Sequence, residues 1–150
     1  MNSGSKSSGQ VIVVLIIVLG LVGVGFWWLV SNKQEMARDG KQFARDAIQR
    51  IAVQRDANFF ASRLSPQARM NFSPSAQQEF FAEIAKLGPP VGEIDVQGEI
   101  EFNSQFFEPH GNFHARINYP ARYADINLVI SHPVGRWQID EVTFLPQRER

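Results

Sequence analysis

Residues 74–102, PSAQQEFFAEIAKLGPPVGEIDVQGEIEF, contain the change of hydrophobic period that decides the fold class. Up to Leu87 the apolar side chains recur at the spacing of an amphipathic helix, which the run Gly88-Pro89-Pro90 ends. From Glu93 to Phe102 apolar and polar residues alternate, as they do in a strand with one buried face. The stretch therefore predicts one helix followed directly by one strand.

Two more helices are predicted on the N-terminal side of this stretch. Over residues 32–52 the apolar side chains follow one helical stripe and the charged ones lie away from it. Residues 59–64 indicate a shorter helical piece. Ser65-Pro66 and Ser73-Pro74 each resemble a capping serine followed by proline at the first helical position. We therefore expect three helices before the first strand.

Three further strands are predicted after it. Their apolar residues are Phe113, Ala115, Ile117 and Tyr119 in the first, Ile126, Leu128 and Ile130 in the second, and Trp137, Ile139, Val142 and Phe144 in the last. The segment Glu108–Asn112 is expected to form the hairpin turn before the first of them. Because the apolar face changes along the last strand, a bulge is expected near Asp140-Glu141. Helices followed by an antiparallel meander give the fold class α+β.

The segment before the helices, residues 11–30, is VIVVLIIVLGLVGVGFWWLV and contains no charged residue. As a helix it is about 30 Å long, the thickness of the hydrocarbon core, and Trp27 and Trp28 suit the membrane interface. A cleaved signal peptide is the alternative, although its apolar core is usually about 7–15 residues. We expect a flexible tail over residues 1–10, a transmembrane helix over 11–30 and a soluble α+β domain over 31–150.

Three glycines in this segment, Gly20, Gly23 and Gly25, form a patch of small residues. Small residues let a second transmembrane helix approach closely, although the spacing here is not GxxxG. Ordinary tolerance of glycine in a lipid-facing helix explains them equally well. Together with Trp27 and Trp28 they are the candidate residues for membrane anchoring and helix contact.

Composition excludes several classes of function. The chain has 15 basic and 15 acidic residues, and Lys6 is the only charged residue before position 31, so the soluble part has 14 basic against 15 acidic residues, a net charge of −1. Nucleic-acid binding needs a concentrated basic surface, so it is not expected. The absence of cysteine excludes disulfides, thiol catalysis and cysteine metal sites.

The predicted closing strand reads Gly135-Arg-Trp-Gln-Ile-Asp-Glu-Val-Thr-Phe144. Together with the helical opening at Phe59-Phe60 and the helix end at Leu87-Gly88, this strand makes the chain resemble the nuclear-transport-factor-two-like fold, the cystatin-like cone, over about residues 35–146. The resemblance implies three helices packed on a curved antiparallel sheet. Members with one N-terminal span resemble assembly scaffolds of envelope machines, and others are isomerases, dehydratases or small-molecule binders. It therefore implies a shape and leaves the reaction open.

Two groups of residues are candidates for a partner surface. The first group shares one face of the first strand and comprises Glu93, Asp95, Glu99 and Glu101. A solvated sheet face and a docking surface for a basic partner both explain it. The second group is the adjacent pair Phe106 and Phe107, of which one points away from the core on a strand. An exposed phenylalanine there suits a protein or membrane contact, whereas core filling is the alternative.

An enzyme or carrier would need polar groups inside the cone. The candidate pocket residues are Tyr119, Tyr123 and Asp125, with Tyr119 in the core and its hydroxyl at the rim. His110 and His114 are four residues apart, but His110 falls in the predicted turn, so no metal site is expected there. We expect no catalytic residue and no cofactor.

These observations favour a single-pass membrane protein whose domain is a binding or scaffolding module, a non-catalytic accessory subunit of a larger membrane assembly. The expected partners are the membrane and other membrane-protein subunits, or a second copy of the chain. A membrane-tethered enzyme or carrier of a small apolar ligand is the alternative. The cations that follow the span, from Lys33 to Arg50, favour a cytoplasmic domain. The resemblance favours the extracytoplasmic, periplasmic side, which we expect because long folded domains cross membranes largely regardless of charge.

Overall fold

The computed structural model of the chain describes residues 7–103 and 108–148. The chain divides into two compact units, Met1–Met36 and Ala37–Arg150. The first helix, α1 (Ser7–Gln49), contributes residues to both units.

Among the described residues, the N-terminal unit consists of the first part of α1, which contains the apolar segment. Every large apolar side chain from Val11 to Val30 is exposed, from 39% at Val30 to 70% at Trp27. Such a helix needs an apolar environment on all sides, and a bilayer provides one. By length and hydropathy α1 is able to span a membrane, in agreement with the anchor that the sequence predicts.

Four helical segments follow in the C-terminal unit after α1. A π-helical turn, Arg50–Gln54, continues α1 and buries Ile51 and Ala52. The α-helices are α2 (Ala57–Arg63), α3 (Pro66–Asn71) and α4 (Pro74–Lys86). Both serine caps are confirmed, since Ser65 Oγ accepts from Ala68 N–H at 3.0 Å and Ser73 Oγ from Ala76 N–H at 3.3 Å. The short helix α3 is additional to the three helices predicted.

The strands form one antiparallel sheet of four. They are β1 (Asp95–Phe102), β2 (Pro109–Asn118), β3 (Tyr123–Ser131) and β4 (Gln138–Pro146), in the order β1-β2-β3-β4. The sheet is not closed, so β1 and β4 are its edges. The α+β class and the antiparallel meander are confirmed.

The predicted turn over Glu108–Asn112 is wrong. β2 already begins at Pro109, and His110 lies opposite Glu101, so Pro109–Asn112 belong to a strand and not to a turn. Hydrophobic alternation did not reveal this part of β2 because its inward residue is Gly111, which has no side chain. A Cβ at Gly111 would lie 2.6 Å from the Phe113 ring and 2.7 Å from Ile100, so a larger residue would have to displace these side chains. Phe106 and Phe107 lie outside the described residues.

The predicted bulge in the last strand is confirmed. Val129 pairs with Glu141 and Ile130 with Ile139, so Asp140 is the extra residue of β4. Because of the bulge, Ile139 before it and Val142 and Phe144 after it lie on the same side of β4, toward the helices.

Within the C-terminal unit, the part of α1 that follows Ala37 packs across the inner face of the sheet. A Cβ at Gly40 would lie 2.6 Å from Ile100 and 2.7 Å from Trp137, so the helix backbone approaches the sheet closely there. Phe43, one turn later, stacks on Trp137 with ring centroids 6.4 Å apart. The inward positions of α1 are thus small where the sheet is near and large where it is farther away.

Candidate functional site

The predicted pocket residues do not come together. Tyr119 continues the inward side of β2 and is buried, whereas Tyr123 is 38% exposed on β3. Asp125 lies two residues after Tyr123, on the same outer face of the sheet. Because successive side chains alternate along a strand, the sheet itself separates Tyr119 from Tyr123 and Asp125.

Asp125 is the centre of a polar network on that outer face. Its carboxylate accepts from Arg116 Nε at 3.0 Å and from Gln147 Nε2 at 3.3 Å, and its side chain is 15% exposed. The Arg116 guanidinium also lies over the Tyr123 ring, 4.3 Å from its centroid. The hydrogen bond and charge of Asp125 raise the pKa of Arg116 above its ordinary value. The network fixes these side chains to one another across β2 and β3.

Both histidines of β2 belong to the same outer face. His114 Nδ1 lies 2.9 Å from Asn127 Oδ1, and its Nε2 lies 3.9 Å from Asp125. His110 Nε2 lies 3.6 Å from Glu101. Four residues along a strand separate the two histidines by about 13 Å, too far to share one ion. Residues 7–103 and 108–148 contain no group of three or more metal-ligating side chains of the His, Asp or Glu type.

Three of the four acidic residues of the predicted partner surface line the outer side of edge strand β1. Asp95, Glu99 and Glu101 are exposed, and Glu93 precedes the strand. Asp95 accepts from Gln97 at 3.3 Å, and Glu101 pairs with His110 on β2. Charged side chains on a sheet edge also hinder edge-to-edge pairing with other chains. Their placement suits solvation and docking alike.

Aromatic rings fill the space between the helices and the sheet. Phe60 is fully buried, with the rings of Phe72, Phe80 and Phe81 each 5.5 Å from its own. Phe144 of β4 joins this cluster 6.2 Å from Phe80. Rings at these distances are in packing contact. We call this group, with Tyr119, the aromatic core.

The hydroxyl of Tyr119 is a buried polar atom of the aromatic core. Tyr119 is 5% exposed with its ring 6.3 Å from that of Phe144, so the prediction of a hydroxyl at the rim is wrong. Within the part of the chain that the structure describes, this buried hydroxyl has no hydrogen-bond partner. Burial raises the pKa of Tyr119 to about 12, against a smaller opposing effect of Arg55. The group is therefore a neutral hydroxyl at physiological pH.

Arg55 owes its position to the π-helical turn. Asp56 N–H donates to Arg50 O at 2.9 Å across the turn, and Arg55 between them has φ of 53°. A positive φ is uncommon outside glycine. Sequence reasoning missed this feature, because nothing in the residue pattern of the helix distinguishes a π-helical turn from an α-helical one.

The glycines of the membrane segment do not share one face. Around a helix Gly20 and Gly23 lie about 60° apart, whereas Gly25 lies about 140° from Gly20. A Cβ at each of them meets no other described atom within 4 Å. The predicted patch is therefore reduced to Gly20 and Gly23.

Comparisons with protein-family models, with curated proteins and with solved structures give no match for this chain.

Proposed function

We propose that this protein is a membrane-anchored binding or scaffolding module, a non-catalytic accessory subunit of a larger membrane assembly. The observation that carries the proposal is the aromatic core: phenylalanine rings occupy the space that a ligand would need between helices and sheet. A ligand site needs a roomy cavity with a few convergent polar groups. A scaffold needs a rigid interior and a usable outer surface, which suits a polar sheet face beside a closely packed core.

Two further parts of the proposal, the fold family and the side of the membrane on which the domain lies, rest on the sequence resemblance. The order of helices followed by an antiparallel meander supports the nuclear-transport-factor-two-like resemblance, with the open sheet as the departure from a closed cone. The same resemblance supports a domain on the extracytoplasmic side of the membrane. A cysteine at Ala121, exposed between β2 and β3, tests the second point, because the natural chain has none. Labelling by an impermeant maleimide in intact cells supports the proposal, and labelling only after lysis contradicts it.

The main experiment is purification of the full chain in mild detergent, with mass spectrometry of proteins that copurify in stoichiometric amount. We expect at least one other membrane-protein subunit. Gly20→Leu and Gly23→Leu add bulk on one side of the helix and are expected to weaken copurification where the partner helix lies there. Gly25→Leu adds the same bulk on the other side and is the matched control. A chain that purifies alone, or only with itself, contradicts the accessory-subunit proposal.

The second candidate is a tethered enzyme or carrier of a small apolar ligand, and the Tyr119 hydroxyl favours it. A buried neutral hydroxyl beside apolar rings is suited to donate one hydrogen bond to a carbonyl oxygen. Screening the purified chain against apolar ketones by thermal shift tests it. A ligand that raises the melting temperature of the natural chain but not of Tyr119→Phe would favour this candidate over the scaffold.

A further inference from the structure

A shallow groove lies where α3 meets the turn before β4. Its volume is about 260 Å³, and its walls are formed by Pro66 and Arg69 of α3, by Pro133, Val134 and Arg136 of the turn, and by Leu64 between helices. The chain is held together at this place by Ser65 N–H, which donates to Ile139 O at 2.8 Å. The groove therefore has a fixed floor, formed where the helices join the β4 edge.

The charge of the groove is positive. Its lining contains two arginines and, among the residues described, no carboxylate. Arg63 lies beside it and donates from Nη1 to Trp137 O at 3.4 Å. The ion pairs within residues 7–103 and 108–148 involve neither these lining arginines nor Arg63. Gln138 also lines the groove and donates from Nε2 to the carboxylate of Asp140 at 3.2 Å.

Arg136 is oriented by the protein itself. Its Nη2 donates to the backbone oxygen of Ser62 at the end of α2. One nitrogen of the guanidinium is thus held, and the rest of its donor fork remains for a ligand. Since a planar guanidinium binds carboxylates in a bidentate manner, fixing its plane reduces the entropy lost on binding.

The groove is also bordered by exposed apolar side chains. Val134 is 88% exposed and Met70 86%, the highest values among the large apolar side chains that the structure describes. Val134 lines the groove, and Met70 follows the lining residue Arg69 in α3. Exposed apolar groups beside unpaired cations are suited to a partner that carries both apolar and acidic groups.

We propose that this groove binds an acidic segment of a partner protein, with a carboxylate on Arg69 and Arg136 and a neighbouring apolar side chain against Val134 and Pro133. The inference rests on the proposed function, for which it names a contact surface. A protein segment is favoured over a lipid surface because the site is concave and its apolar rim carries no exposed aromatic ring among the lining residues. Membrane-surface contacts are usually convex and use Trp or Phe.

The test uses the full chain in phosphatidylcholine nanodiscs and a fluorescein-labelled peptide, Ser-Glu-Val-Glu-Ser, followed by fluorescence anisotropy. We expect saturable binding, and binding weaker by about tenfold or more for the double variant Arg69→Gln/Arg136→Gln. Val134→Ser is expected to weaken it severalfold without disturbing the fold, since that side chain is exposed. A peptide with Gln in place of both Glu residues should bind the natural chain no more tightly than the original peptide binds the double variant.

The matched control is Arg45→Gln/Arg122→Gln, which removes two exposed arginines elsewhere in the domain and should leave the affinity unchanged. Equal binding of the Glu and Gln peptides, or equal loss in the control, would overturn the proposal. A lipid ligand would overturn it as well. In that case native mass spectrometry would show phosphatidylserine bound to the natural chain but not to the double variant, and the peptide would not bind. Because the peptide assay uses the purified chain, it is independent of copurification: subunits that copurify while the peptide fails would reject the groove and leave the accessory-subunit proposal standing.

Discussion

The two faces of the sheet are made by the same four strands, yet they are built differently. On the inner face, the row that crosses the strands reads Val96, Ala115, Ile126 and Phe144. On the outer face, the adjacent row reads Asp95, Arg116, Asp125 and Leu145. Inner residues are closely packed against helices, whereas outer residues are joined by polar contacts that water can replace. The inner face should therefore determine stability, and the outer face should be free for contacts.

The largest expected effect is on the inner face. Phe60→Ala removes the ring that three other phenylalanines contact and should destabilise the domain by about 3–5 kcal/mol. Urea unfolding of the full chain in detergent, followed by near-ultraviolet circular dichroism, measures it. The control is Met70→Ala, whose side chain is exposed and should change the midpoint little. Equal midpoints for Phe60→Ala and the natural chain would mean that the aromatic core does not hold the domain together.

The second largest effect on stability is expected in the backbone of β1, at Gly98. Gly98 has φ of 142°, and a Cβ there would lie 2.3 Å from Asn112 O. Gly98→Ala should cost about 1–3 kcal/mol through backbone strain alone, and the clash adds to it. Gly135→Ala is the matched control, because φ is 67° but the surrounding space is open. If both substitutions shift the urea midpoint equally, the close approach of β1 to β2 is not what requires glycine at position 98.

Much of the fold was readable from the sequence because its signals are local. Alternation located the four strands, serine-proline pairs located two helix starts, and the change of apolar face located the bulge at Asp140. The start of β2 was missed because its inward position is Gly111, whose need for close packing is a property of the tertiary structure. Ser65-Pro66 marked the start of α3, but its six residues show too little periodicity to be predicted as a separate helix.

The candidate sites were harder to predict than the fold. Tyr119, Tyr123 and Asp125 are near in sequence, but the β2–β3 hairpin puts Tyr119 on the inner face and the other two on the outer one. Following the alternation of inward and outward side chains along β2 and β3 would have put Tyr119 on a different face from Tyr123 and Asp125. The groove at Arg69 and Arg136 brings together residues 67 positions apart, 136 − 69, and a single sequence carries no local signal for such a contact.

A smaller effect is expected from Tyr119→Phe, which removes a buried hydroxyl from the aromatic core. Because that hydroxyl has no partner among the described residues, its removal should leave stability unchanged or raise it slightly. The pKa of Tyr119 is about 12 in the folded protein against an ordinary value of 10.0. A raised pKa means that the folded state favours the protonated hydroxyl. Its contribution to the stability of the natural chain is present below pH 10.0 and is lost as the pH rises toward 12. Tyr119→Phe has no hydroxyl and should not show this loss. Clear destabilisation at neutral pH would instead indicate a hydrogen bond to this hydroxyl.

The smallest effect is expected on the outer face. Asp125→Asn keeps the shape of the side chain but removes the charge that faces Arg116, and the exposed guanidinium remains solvated by water. The urea midpoint should fall less than for Gly98→Ala. It should also approach that of the natural chain in 1 M NaCl, where the screening length is about 3 Å. The raised pKa of Arg116 implies that this contribution is present below the ordinary pKa of arginine and is lost only as the pH rises beyond it, so Arg116 adds no pH dependence near neutrality. A midpoint that falls as far as for Phe60→Ala would mean that the polar network also holds the sheet together, and that the outer face is not free to be remodelled by a partner.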